Sequence, residues 1–219
     1  MFGQKNMLNE PLKEYNVERY FAGWHKMNHE NAKFMLLTTK RAFEEHDITF
    51  MPEYATLLGA VREHGFIASD ADSDCMIWAK DMQKALDLMP ELEKYGINLH
   101  CYVLPWIFTL EYKGETCDID IFHEPIWPWR KWFLLTQSKY IPRHFFDNTA
   151  PLEFLGEIWT APAEYEKLME YYYGKTWRVP SMTNSRTESY WFWWRYLHRY
   201  IEKKKRSVKR LVKRLLRQS

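Results

Sequence analysis

The sequence contains few cysteines, and none of them has the spacing of a metal or redox motif. Its three cysteines are Cys75, Cys101 and Cys117, an odd number in which no two form a C-x-x-C. A disulfide framework needs pairs of cysteines, and a structural zinc site needs Cys or His ligands at finger-like spacing. All three lie in strand-like segments, where a free thiol behaves as a small apolar side chain. We therefore expect a reducing compartment, no disulfide framework and no structural zinc.

Long apolar runs are also missing. A helix that spans a bilayer needs a predominantly apolar stretch of about 18 residues or more, and the sequence has no such stretch. The first eleven residues, M-F-G-Q-K-N-M-L-N-E-P, lack the apolar core of a secretory signal. We expect neither a secretory signal nor a membrane-spanning helix.

Composition and hydrophobic periodicity predict an α+β domain with a mixed sheet flanked by helices. The 219 residues are 46% hydrophobic and 17% aromatic, which is enough to bury the core of one domain. We expect that domain over residues 1–185 and a separate helical tail over residues 186–219. The predicted helices cover residues 28–46, 56–63, 81–95 (interrupted at Pro90) and 162–173. The predicted strands cover residues 48–51, 73–79, 97–103, 106–112 and 116–122, the last two joined by a Lys113-Gly114 turn.

Three aspartates at alternate positions precede an apolar segment. Asp70, Asp72 and Asp74 run into Cys-Met-Ile-Trp, which is typical of the edge of a strand. Side chains two apart on a strand point the same way, so Asp72 and Asp74 are expected on one face. Two carboxylates held together favour a hard divalent cation such as Mg²⁺ or Mn²⁺. An acidic surface loop is the alternative.

A later strand offers a third carboxylate. Residues 115–122 alternate, with Asp118 and Asp120 on one face and Cys117, Ile119 and Ile121 on the other. Separate strands that bring Asp72, Asp74 and Asp120 to one point would form a metal site, which surface acidity does not explain.

A short helix before the aspartates has residues suited to phosphate. Gly59 lets a backbone approach a ligand closely and is expected near the start of this helix, where free N–H groups favour anions. Thr56 adds a hydroxyl, and Arg62 a fork of donors that matches phosphate oxygens.

Together these motifs resemble the LicD-type phosphotransferases, which include the fukutin-related proteins and belong to the nucleotidyltransferase-fold superfamily. The resemblance covers about residues 30–180, with its motifs in the family's order. They are T-L-L-G-A-V-R at 56–62, Ile67 with D-A-D-S-D at 70–74, I-D-I-F at 119–122 and Y-G-K-T-W-R-V-P at 173–180. The departures from the family pattern are Ala55, Ala68, Ser69, Ala71 and Ser73. We expect these changes to alter the donor pocket, and an inactive relative of the family is the alternative.

The resemblance implies a nucleotidyltransferase-like fold and transfer of a phospho-alcohol, such as phosphocholine or phosphoribitol, from a CDP-linked donor to a glycan hydroxyl. It implies Mg²⁺ (or Mn²⁺) held by Asp72, Asp74 and Asp120. Thr56, Gly59 and Arg62 would bind the donor, and Asp120 or Asp118 would take the acceptor proton. A nucleotidyltransferase acting on a small molecule or protein, and an inactive membrane-bound scaffold, are the alternatives.

The segment from Pro125 to Phe146 is dense in aromatic residues. Ordinary packing of an irregular loop is one interpretation of it. A surface on which acceptor sugar rings stack, with interleaved cations for phosphates, is the other.

The end of the chain is strongly basic. From Arg195 onward it holds eleven Lys or Arg residues and one acid, Glu202, so the preceding residues are acidic on balance. Apolar residues recur there at helical spacing after the run Trp191-Phe192-Trp193-Trp194. This pattern favours a helix lying on an anionic membrane, with a nucleic-acid patch and a partner-docked helix as alternatives. We expect a peripheral protein on the cytoplasmic face, a lipid-linked or other glycan acceptor, and no nucleic acid.

Overall fold

The computed structural model of the chain describes residues 26–137 and 139–180. The predicted domain boundary after residue 185 and the tail of residues 186–219 lie outside the described residues. Helices and strands are mixed along the described chain. In order they are α1 (His29–Glu45), β1 (Met51–Pro52), α2 (Tyr54–Arg62), β2 (Ser73–Trp78), α3 (Met82–Asp87), α4 (Met89–Leu92), β3 (Asn98–Val103), β4 (Ile107–Tyr112), β5 (Glu115–Phe122), β6 (Phe133–Leu135), β7 (Tyr140–Pro142), β8 (Thr149–Phe154), β9 (Glu157–Pro162) and α5 (Tyr165–Tyr173).

A five-stranded sheet in the order β1-β2-β5-β4-β3 forms the centre of the fold. Strands β2 and β5 run parallel, whereas the other neighbours in this sheet are antiparallel. The α+β class and the mixed sheet that we predicted are therefore confirmed. Two further hairpins, β6–β7 and β8–β9, lie outside this sheet.

Helix α1 contacts strands β4 and β5 and supplies much of the core. It begins after Asn28, whose side-chain oxygen accepts hydrogen bonds from the N–H groups of Glu30 and Asn31 at 3.1 Å each, a typical N-cap. Its apolar face is buried, with Met35 and Phe43 fully enclosed. The predicted helix over residues 28–46 is confirmed.

The predicted helix of residues 81–95 forms in pieces. Helix α3 ends at Asp87, and the short helix α4 follows with Pro90 in its first turn, where a missing N–H costs little. A 3₁₀ turn then ends at Gly96, whose φ of +79° suits glycine. The proline and the glycine therefore act at the positions where the sequence predicted an interruption and an end.

The β4–β5 hairpin is confirmed, whereas the β8–β9 hairpin was missed. Lys113 and Gly114 have φ of +50° and +88°, as a tight two-residue turn between strands requires. In the second hairpin the turn is Leu155-Gly156, and leucine at φ +56° is not a residue that signals such a turn. The expected helix start at Pro162 is wrong, because Pro162 ends strand β9 and α5 begins at Tyr165.

No helix within 26–137 and 139–180 has the length and apolar character needed to cross a bilayer.

Candidate active site

Two aspartates from distant parts of the chain lie side by side on parallel strands. Asp74, the second residue of β2, pairs in register with Asp118 of β5. Paired residues of neighbouring strands point to the same face of a sheet, so the two carboxylates share one face. Asp120, opposite Met76, lies on the same face, and both aspartates of β5 are buried. The sheet thus brings together carboxylates that are far apart in the sequence.

Two more carboxylates approach from the segment before β2. Asp70 and Asp72 precede the strand and are half-buried. Burial raises the pKa of Asp74 well above its usual value, and the charge of Asp72 raises it further, followed by those of Asp118, Asp120 and Asp70. Like charges in a partly dry site are costly unless a proton or a cation compensates for them. This cluster of five carboxylates therefore favours the binding of a proton or a cation.

The chemistry of these donors fits a hard divalent cation. Carboxylate oxygens are preferred ligands of Mg²⁺ and Mn²⁺. As the side chains stand, however, no group of three or more His, Cys, Asp or Glu residues in the described part of the chain could hold a metal ion. The three-ligand set of Asp72, Asp74 and Asp120 therefore stays a prediction, supported by donor type and by the crowding of negative charge.

Thr109 orients one of the buried carboxylates. It lies opposite Asp118 on strand β4, and its hydroxyl donates a hydrogen bond of 2.6 Å to Asp118 Oδ1. Because both side chains are buried, water competes little for this hydrogen bond, and the Asp118 carboxylate is held in one orientation. We did not predict this residue from the sequence. The Lys113-Gly114 turn sets the register of the hairpin, and counting outward from it pairs Thr109 with Asp118.

The backbone of Asp74 is held by the start of helix α2. The Asp74 N–H donates a hydrogen bond of 2.8 Å to Thr56 Oγ1, and the Asp74 carbonyl accepts one of 3.0 Å from the N–H of Glu53. Thr56 is buried. The hydroxyl that we expected to meet donor phosphate thus positions the aspartate strand in this structure.

Gly59 lies against the chain that follows its own helix. A Cβ at this position would be 2.5 Å from the carbonyl oxygen of Gly65 and 3.2 Å from the N of Ile67. Its expected place at the helix start is wrong, because the turn from β1 is so short that α2 already begins at Tyr54. The glycine allows the segment leading to Asp70 to pack on the helix.

Arg62 joins helix α2 to the segment of residues 174–180, which follows helix α5. Its Nη1 donates a hydrogen bond of 3.1 Å to the carbonyl of Trp177, and its Nε one of 2.7 Å to Glu63. The Trp177 side chain is buried. In this structure, two N–H groups of the Arg62 guanidinium, which we expected to bind phosphate, donate instead to Glu63 and to the Trp177 carbonyl.

A known protein family matches the part of the chain that contains the candidate site. The family model described as LicD/FKTN/FKRP, nucleotidyltransferase domain, matches residues 47–164, more than half of the chain. The matched range contains the five aspartates and helix α2. It also contains the first three of the four motifs on which the resemblance rested.

Individual relatives are more distant. An uncharacterized protein, RP689, of Rickettsia prowazekii (strain Madrid E) is 29% identical over 113 residues, a match that covers 51% of this chain and 40% of that protein. The chain therefore spans well under half the length of that curated relative.

Among solved structures, ANT(2")-Ia in complex with adenylyl-2"-tobramycin shows 14% identity and a TM-score of 0.45, covering 68% of this chain and 78% of that one. A c-di-GMP synthase, CdnE, from Capnocytophaga granulosa shows 12% identity and a TM-score of 0.36, covering 78% and 57%.

Proposed function

Because this chain belongs to the LicD/FKTN/FKRP nucleotidyltransferase-domain family, we propose that it is a transferase that acts on a nucleotide-activated donor. We propose more narrowly that it moves a phospho-alcohol, of the phosphocholine or phosphoribitol type, from a CDP-linked donor to the hydroxyl of a glycan. The observation that carries this is the register of Asp74 with Asp118, with Asp72 and Asp120 close enough to act on Asp74.

The carboxylates divide into two roles in this proposal. Asp72, Asp74 and Asp120 would hold Mg²⁺ (or Mn²⁺), which when bound would neutralise a diphosphate and stabilise negative charge on a leaving CMP. Asp118, oriented by Thr109, accepts the proton of the acceptor hydroxyl. The half-buried Asp70 supports the group from the segment before β2.

Of the three residues that we expected to bind the donor, Thr56 and Gly59 act by positioning the main chain around the aspartates. Thr56 holds the strand that carries Asp74, and Gly59 allows the chain leading to Asp70 to lie against α2. Arg62 meets donor phosphate when its Nη1 exchanges the carbonyl of Trp177 for a phosphate oxygen, which as an anion is the stronger acceptor.

The second candidate is transfer of the nucleotide itself to a small molecule or protein. The matched family model is named for a nucleotidyltransferase domain, and the same carboxylates suit either reaction. Product analysis separates the two candidates. Release of CMP with a phosphodiester-linked alcohol supports the first, and release of pyrophosphate supports the second.

The carboxylate proposal is tested with Asp74→Asn. Loss of one charge from the group should lower Mg²⁺-dependent turnover of a CDP-linked donor by about a hundredfold or more, the order expected when charge stabilisation in a transition state is lost. Asp87→Asn is the matched control, because Asp87 is exposed on helix α3. Turnover by Asp74→Asn close to that of the control would refute the role of the carboxylates. Absence of Mg²⁺-dependent nucleotide binding in the unaltered chain would favour the inactive scaffold.

We further propose that the basic residues after Arg195 attach the protein to an anionic membrane on its cytoplasmic face, near a membrane-assembled glycan. Each cation close to such a surface contributes about 1 kcal/mol, so several suffice for stable attachment. Binding to anionic vesicles that weakens steeply with salt supports this proposal, and binding only to nucleic acid contradicts it.

A further inference from the structure

The segment between β5 and β6 exposes large apolar side chains. Trp127 is 75% exposed, Trp132 is 51% exposed and Ile126 is 47% exposed. Three exposed side chains of this size lie within seven residues, and large exposed apolar groups concentrated in one segment mark an interaction surface. We call these three residues the tryptophan patch.

Packing explains other aromatic residues of the same region but not these. Tyr140, Phe145 and Phe146 are buried, and the Phe146 ring packs edge-on against Phe122 with centroids 5.2 Å apart. The two interpretations of the aromatic stretch therefore apply to different residues. Those after residue 139 belong to the core, whereas the tryptophan patch stands outside it.

The backbone holds the patch in place. The N–H of Trp129 donates to the carbonyl of Ile126 at 3.0 Å, and the N–H of Trp132 donates to the carbonyl of Trp129 at 3.0 Å. Arg143 stabilises the segment in two ways. Its backbone N–H donates a hydrogen bond of 2.8 Å to the Trp132 carbonyl, and its guanidinium forms an ion pair of 2.6 Å with Glu124. A patch that is already ordered loses little conformational entropy when it binds.

The charges beside the patch indicate its partner. Arg130 and Lys131 lie within the same segment and are exposed, and Lys131 Nζ stands 5.9 Å from the centre of the Trp132 ring. Indole rings favour the headgroup layer of a bilayer, and Lys and Arg favour its anionic lipids. A sugar ring would stack on the indoles, but the aliphatic Ile126 gains more from an acyl layer than from sugar hydroxyls.

We propose that the tryptophan patch inserts into the headgroup layer of an anionic bilayer, with Arg130 and Lys131 at the lipid phosphates. This contact belongs to the described domain and is separate from the attachment proposed for the basic tail. It does not depend on the reaction, because it is measured as binding without substrate.

Co-sedimentation of the full chain with phosphatidylcholine vesicles that contain phosphatidylserine tests the contact. At about 1 M salt the Debye length falls to about 3 Å, so attachment through charge weakens while apolar insertion remains. Under these conditions the double variant Trp127→Ala/Trp132→Ala should bind about tenfold more weakly than the unaltered chain, as expected when two indoles leave the headgroup layer.

Ile158→Ala is the matched control, because Ile158 is 61% exposed on strand β9, outside the patch. It should bind within about twofold of the unaltered chain if general surface hydrophobicity is not the cause. Circular dichroism and thermal melting verify that each variant is folded.

Equal binding by the double variant and the unaltered chain at high salt overturns the proposal. It is equally overturned if the double variant keeps its vesicle binding but loses binding to a soluble oligosaccharide acceptor, because the patch then serves the glycan. Loss of vesicle binding by both the double variant and Ile158→Ala also overturns it.

Discussion

Gly59→Ala tests why a glycine lies in the middle of helix α2. The added Cβ would stand 2.5 Å from the Gly65 carbonyl oxygen, closer than the 3.0 Å below which real Cβ contacts essentially never occur, and 3.2 Å from the N of Ile67. Both of these neighbours are backbone atoms, which cannot rotate away as the end of a side chain can. The main chain between α2 and Asp70 must therefore shift to accommodate the alanine.

Two effects of opposite sign determine the size of the change. Alanine is better than glycine in a helix interior by about 1 kcal/mol. Overpacking of a dense site costs about 1–3 kcal/mol, and two backbone contacts place this site at the upper end. The free energy of unfolding should therefore fall by about 2 kcal/mol. For a protein of this size that lowers the melting temperature by about 4–8 °C.

Urea unfolding of the unaltered chain and the variant measures this difference. Gly65→Ala is the matched control, because its nearest neighbour, the Glu63 carbonyl oxygen, would stand 4.0 Å from the new Cβ. The control should keep the stability of the unaltered chain within about 0.5 kcal/mol.

An unchanged or raised stability of Gly59→Ala would refute the packing argument. If that stable variant also lost binding of a CDP-linked donor, the glycine would instead serve the close approach of a ligand, as the sequence alone suggested. Loss of stability in both variants to the same extent would also contradict the reasoning, because the two positions differ mainly in the space around their Cβ atoms.

Two further predictions concern polar contacts. Thr109→Val removes the hydrogen bond to Asp118 while keeping the side-chain shape, so kcat should fall about tenfold with little change in KM, whereas Thr109→Ser should retain most of the activity. Burial tends to raise the pKa of Glu157, but hydrogen bonds from Arg41 and Lys40 outweigh it and leave the pKa lowered from 4.5. Because the pKa is lower in the folded state, ionised Glu157 stabilises the folded protein at pH values above the unfolded-state pKa. This stabilisation is lost as the pH falls through the folded-state pKa. Glu157→Gln should therefore lower the free energy of unfolding at pH 7, and this difference should shrink as the pH falls below the unfolded-state pKa of glutamate, about 4.3, which chemical unfolding at several pH values will measure.

Most elements that depend on local pattern were predicted from the sequence. Helix α1 follows from apolar residues at helical spacing after Asn28, and the β4–β5 hairpin follows from alternation around Lys113-Gly114. These signals lie within a few residues of one another, so neighbouring side chains alone carry them. The β8–β9 hairpin lacks such a signal because its turn begins with Leu155.

The chemistry of the candidate site was visible in the sequence, but its geometry was not. Aspartates at alternate positions before and within apolar strands predict carboxylates on one face of each strand. Alternation does not say which strands are neighbours or at what register. The structure shows that Asp118 lies in register with Asp74, and it adds Thr109 as a residue that hydrogen-bonds and positions Asp118.

The sequence alone thus indicated which residues could form the site, which of them share a face of a strand, and which family the chain resembles. These properties depend on residues that are close together along the chain. The pairing of β2 with β5, the close packing around Gly59 and the outward position of Trp127 arise only when distant segments meet. They are settled by which contacts fill the core best, and the free energy of those contacts depends on the whole fold.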